Sequence, residues 1–124
     1  MKTLKYAALA LALGSGYGMA DECTAPASPT LPDGSASTME QMLEGQQMVK
    51  TFQAANAEYM KCLETGIESA KVAAQKAIEK GDGVDEAKAA YEAAQNTYNA
   101  AVTAEEELAG QFNAEVREYK AANP

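Results

Sequence analysis

The stretch that decides the fold is residues 37–83, STMEQMLEGQQMVKTFQAANAEYMKCLETGIESAKVAAQKAIEKGDG. Within it Met39, Met42, Gln46, Val49, Gln53, Asn56, Met60, Leu63, Ile67, Ala70, Ala74 and Ala77 alternate in steps of three and four. That spacing puts them on one side of a helix and reads as a heptad seam, softened by three polar members. Ser37-Thr38-Met39-Glu40 fits a capping box, with Ser37 as N-cap and Glu40 reaching back. Gly81-Asp82-Gly83 ends the pattern.

A second helical pattern follows from about Val84 to Ala121. Tyr91, Tyr98, Phe112 and Tyr119 fall at multiples of seven with Glu105 in the intervening slot, and Val84, Ala87, Ala94, Ala101 and Leu108 complete its seam. Two long helices joined by a short loop pack as antiparallel neighbours. The expected fold is all-α: a long coiled-coil-like hairpin, helix 1 about 38–80 and helix 2 about 84–121. Centring the loop on Asp82 pairs residues whose numbers sum to about 164. Phe52 then faces Phe112, Leu63 faces Ala101, Gly66 faces Tyr98, and Gly45 faces Tyr119. A mid-helix glycine costs about 1 kcal/mol relative to alanine, so both glycines are expected to make room for the tyrosine rings.

Ahead of the hairpin, residues 21–37 carry no helical period. Cys23 opens an arm in which Pro26, Pro29 and Pro32 recur every third residue, ending in Pro32-Asp33-Gly34. A three-residue repeat matches polyproline II and puts the prolines on one face. Asp33-Gly34 is a turn signal, with aspartate bonding nearby backbone and glycine open to positive φ. The other cysteine of the pair, Cys62, lies deep in helix 1. An extended arm rises about 3.1 Å per residue and a helix about 1.5 Å, so an arm reversing at Asp33-Gly34 reaches Cys62 without slack. Each arm residue passes about two helical residues, which sets Pro26 near Asn56, Pro29 near Lys50 and Pro32 near Glu44. A Cys23–Cys62 disulfide closing this loop stabilises by about 4 kcal/mol in the chain-entropy description. An intermolecular bridge is the competing pairing. CxxC spacing, the mark of a redox-active pair, is missing.

Residues 1–20 read as a signal peptide: Lys2 and Lys5, an apolar run from Tyr6 to Leu13, then Gly18-Met19-Ala20 at the cleavage positions. The run is too short to span a bilayer about 30 Å thick. The protein is therefore expected to be periplasmic or secreted, with no membrane insertion after cleavage. The mature chain would keep eight basic and 18 acidic residues, a net charge of −10. Such a chain repels phosphate backbones, so nucleic acid is not an expected partner.

Chemistry is sparse. With no histidine in the sequence, the commonest general base and metal ligand are gone, and no phosphate-binding glycine loop appears. Glu58 lies level with Glu105-Glu106-Glu107, but a slim hairpin offers no cleft to contrast their environments. Asp82, Asp85 and Glu86 lack the ligand spacing of a calcium loop. No catalytic residue, cofactor or metal is expected, and the chain reads as a non-enzyme. The methionines Met39, Met42, Met48 and Met60 read as core filling, with a soft peptide-binding surface as the other use.

The run Cys23, Pro26, Pro29, Pro32-Asp33-Gly34, Met42 through Val49-Lys50 and Tyr59-Met60-Lys61-Cys62-Leu63 resembles a pattern found in small exported proteins of Gram-negative bacteria. The resemblance covers about residues 1–65. It implies export and the cysteine pair, and carries no activity. The resulting expectation is a structural or protein-interaction role in the cell envelope, self-association as a possible homodimer included. The alternative is a chaperone-like or inhibitor module for unfolded or cationic proteins.

Overall fold

A computed structural model describes residues 23–124; the expected signal peptide lies outside the described residues. Two helices make the fold, α1 (Met39–Lys80) and α2 (Val84–Ala122), packed against each other as an antiparallel hairpin. At 1.5 Å per residue they are about 63 and 58 Å long. Among the described residues there is no strand, and no helix is long and apolar enough to cross a membrane.

α1 starts one residue later than its sequence signal suggests. The cap is Thr38, whose hydroxyl accepts from the Gln41 amide at 3.1 Å while the Gln41 side chain accepts from the Thr38 amide at 2.8 Å. Both Ser37 and Thr38 have an acid or amide three residues on. Thr38 takes the role, shortly after the turn closed by Ala36 N–H donating to Asp33 O at 3.1 Å. At the far end Gly81 adopts φ 70°, its amide donates to the Ala77 and Ile78 carbonyls, and the Asp82 amide also donates to Ala77 O, which satisfies two of the end carbonyls of α1. Gly83 is also left-handed, at φ 66°. Two such residues flanking Asp82 turn the chain in three residues, where a Cβ would be strained.

The core is a row rather than a globule. Met42, Val49, Phe52, Leu63 and Ala74 of α1 and Ala101 and Leu108 of α2 are buried, with Val49, Phe52 and Leu108 in one cluster against which Leu31 and Phe112 pack. Levels follow a sum of about 160: Phe52 with Leu108, Asn56 with Glu105, Glu64 with Tyr98. The register is thus about one turn or less from the sequence expectation.

Burial along the α1 seam changes in an orderly way. Met39 is 57% exposed and Gln46 is exposed, Gln53, Met60 and Ile67 are half-buried, and Ala74 is buried. The neighbouring heptad row runs oppositely: Gly45 and Phe52 are buried, Tyr59 and Gly66 half-buried, Ala73 and Lys80 exposed. Seven residues of a 3.6-residue helix fall about 20° short of two turns. The line of contact therefore slides across a strict heptad, taking one row in and the other out. Gly66 sits where its row has begun to leave the interface, and an added Cβ there meets nothing within 4 Å. The expectation that Gly66 makes room for Tyr98 is thus corrected. Tyr98 does face α1, its hydroxyl donating to Glu64 at 3.3 Å, but it needs no notch to do so.

Candidate functional site

The arm lies along the buried half of the hairpin and is fastened at both ends. At one end Cys23 and Cys62, both half-buried, form a disulfide with Cα atoms 5.6 Å apart. At the other, the Asp33–Ala36 turn seats against α2. Asp33 Oδ1 accepts from the Ser35 amide at 3.0 Å and the Ser35 hydroxyl at 2.7 Å, which shapes the turn. The Gly34 amide then donates to Glu115 Oε1 at 2.8 Å. Gly34 is buried, and a Cβ there would run into the Glu115 carbonyl. Its φ is not positive, so glycine is needed here for close approach and not, as the turn signal suggested, for left-handed backbone.

Between these anchors the prolines sit near their expected levels. Pro26 shares a cavity with Asn56, and Pro29 lies by Met48 and Thr51 on either side of Lys50, which itself lines neither cavity beside the arm. Pro32 rests on Gly45 instead of Glu44: a Cβ on Gly45 would come within 2.7 Å of Pro32 Cδ and 3.2 Å of the Phe112 ring. Gly45 is therefore a notch for the arm proline and Phe112, which corrects its assignment to Tyr119. Six arm residues pass eleven helical ones, close to the two-to-one ratio of their rises.

Among the described residues, the most buried side chain is one that the sequence pattern places in the seam without a role. Asn56 is 1% exposed, and its amide donates to Ala101 O at 3.0 Å and to Glu105 Oε1 at 3.4 Å. Its signal was present, since a lone asparagine in a heptad seam commonly sets register. Of the other seam residues, Phe52 and Leu63 are buried, and Tyr91, Tyr98, Phe112 and Tyr119 are half-buried.

Two hollows flank the arm. One of about 440 Å³ separates Pro26 and Ser28 from Thr97, Ala100 and Ala104 of α2; another of about 340 Å³ lies between Pro26, Pro29 and Met48. Neither Glu58 nor Glu105 lines the first, although Asn56, Tyr59 and Ala101 do. The carboxylates of Asp33, Glu115 and Glu118 approach within 4.8 Å of one another beside the turn. The hydrogen bond from Glu118 to Glu115, together with the charge of Glu115 and then of Asp33, raises the Glu118 carboxyl above its ordinary value.

On the other side of the hairpin, none of the described residues covers the open end. Met39, Met42 and Leu43 of α1 and Phe112, Val116 and Tyr119 of α2 line a groove of about 370 Å³, edged by Lys120. Met39 and Leu43 are 57% and 54% exposed. At about 100° per residue, Met39, Leu43 and Gln46 project to one flank of the α2-facing row, and Gly45, Met48 and Phe52 to the arm's flank. The hairpin thus has one strapped face and one bare one. Comparison with protein-family models, curated proteins and solved structures finds no match.

Proposed function

We propose that this protein is a non-enzymatic, exported helical hairpin that acts through protein–protein contact in the cell envelope, self-association included. The observation that carries the reading is the bare apolar groove around Met39, Leu43 and Val116, on a hairpin whose other face is already strapped by its own arm. Exposed apolar side chains gathered in one concave patch mark contact surfaces, and methionine-rich ones adapt to their partners. The disulfide supports export, because such bonds persist in oxidising compartments.

Site-specific photo-crosslinking tests the proposal. A photoreactive residue placed at Leu43, in the full chain expressed in a Gram-negative cell, is expected to give discrete protein adducts in the periplasmic fraction. The same residue at the solvent-facing Lys76 should give none. One dominant adduct, including one with a second copy, supports the reading; a broad ladder of many adducts favours the chaperone-like alternative. Equal absence of adducts at both positions, or retention of the chain in the cytoplasm, overturns it.

A further inference from the structure

We propose that the Cys23–Cys62 disulfide is a redox-operated latch on a hinged strap: reduction frees residues 23–30 while Leu31, the Asp33–Gly34 elbow and the hairpin stay in place. The inference rests on how unequally the arm is held along its length. Among the described residues, no backbone or side-chain hydrogen bond reaches residues 23–32. Every polar fastening of the arm begins at Asp33. The segment from Ala25 to Pro29 runs between two hollows, one on each side, so its packing is incomplete where it is furthest from the elbow. Ordering an extended segment carries an entropic cost, and with no hydrogen bonds to offset it, half-buried Pro26 and Pro29 and the single covalent bond are what oppose release of residues 23–30. Leu31 instead stays with the elbow through its packing on the Val49, Phe52 and Leu108 cluster.

The elbow is built in the opposite way. Gly34 is buried, bonded to Glu115 from a separate helix, and wedged against the backbone of Glu115 and Tyr119. Pro32 fills the notch at Gly45 beside Phe112, and the Thr38–Gln41 capping box ties the chain directly into α1. Cutting the bond at Cys62 therefore leaves a strap pivoting near Leu31 and Pro32, and opens the hollow that Pro26 lines together with Phe52 and Asn56.

The chemistry needs a dithiol reductant. Its thiolate attacks one sulfur of the pair, the Cys23–Cys62 bond breaks, and a mixed disulfide forms. The second thiol of the reductant then displaces it. The protein ends with two thiols, the reductant with one disulfide, and two electrons and two protons have moved. Both cysteines are half-buried rather than enclosed, which leaves an approach for the attacking thiolate.

Nuclear magnetic resonance of the protein of residues 21–124, oxidised and then reduced with a small dithiol, decides the matter. In the reduced protein the heteronuclear NOE of residues 24–30 should fall to that of a disordered tail, and the chemical shifts of Phe52 and Asn56, which line a hollow with Pro26, should move. The Pro32–Phe112 contacts, the Gly34 amide shift and the helical circular dichroism should persist. The Cys23→Ser/Cys62→Ser double variant should show the same pattern with no reductant present. Three outcomes each overturn the latch: a reduced arm whose residues 24–30 stay as ordered as in the oxidised protein, an elbow that loosens with the arm, or a hairpin that melts when the bond is cut. The proposal is independent of whether the bare groove binds a partner, so a failed crosslink at Leu43 leaves it standing.

Discussion

Three glycines at similar-looking helical or turn positions have three different physical meanings. Gly34 is demanded by backbone approach to Glu115, Gly45 by a proline from the arm, and Gly66 by nothing nearby. Substitution by alanine should therefore split them. Gly34→Ala and Gly45→Ala are each expected to destabilise by about 1–3 kcal/mol through overpacking. Gly66→Ala should stabilise by up to about 1 kcal/mol, since only helix propensity changes. Chemical denaturation of the three variants checks this; equal effects would deny the notches. Asn56 shows the reverse case, a residue whose pattern position was legible but whose burial and bond to Ala101 were not, because they depend on which turn of α2 lies opposite. Glu118 yields a pH expectation. Its folded-state carboxyl is held above its ordinary value, chiefly by Glu115, so the folded state binds the proton more tightly than the unfolded chain. Stability is then lost as pH rises through the window just above the ordinary glutamate range. Glu118→Gln should raise Tm at neutral pH and lose that advantage in acid, as thermal melts across pH would show.

At the scale of elements, the arm and α1 were legible as lengths. A period-three proline run and a period-3.5 seam have rises whose ratio is about two, so Cys62 had to come level with Cys23 once the chain reversed at Asp33. What lengths could not supply was the arm's place across the hairpin. That is set by Glu115 and by the Gly45 notch, contacts made with side chains far away in the chain. Cys62→Ser should lower the free energy of unfolding by up to about 4 kcal/mol, the closure term of a loop whose ends are 39 positions apart in sequence. Denaturation of oxidised protein and variant side by side measures it, and an unchanged midpoint would mean the closed loop contributes nothing. Ser37 and Thr38 carry near-equivalent local signals, and Thr38, paired with Gln41, is the one that makes both capping-box bonds.

For the whole molecule, a hairpin differs from a bundle in having two long flanks. The arm covers one, and the hairpin residues Phe52, Val49 and Leu108 form the cluster against which the arm's Leu31 packs. The other flank is bare at the open end, where Met39 and Leu43 stand exposed. If that end is a contact surface, Leu43→Glu should abolish concentration-dependent association in sedimentation while leaving the thermal melt within a few degrees of wild type. Association that survives Leu43→Glu would place the contact elsewhere. The sequence by itself determined the helical hairpin, its turn, the arm and the matching of Cys23 to Cys62, because each is written in a short-range period or a sum of residue rises. Only the tertiary structure decided which heptad row is covered. A straight helix drifts about 20° per heptad, and that drift, with the arm on one side, turns a single seam into a strapped row, a buried row and a bare one.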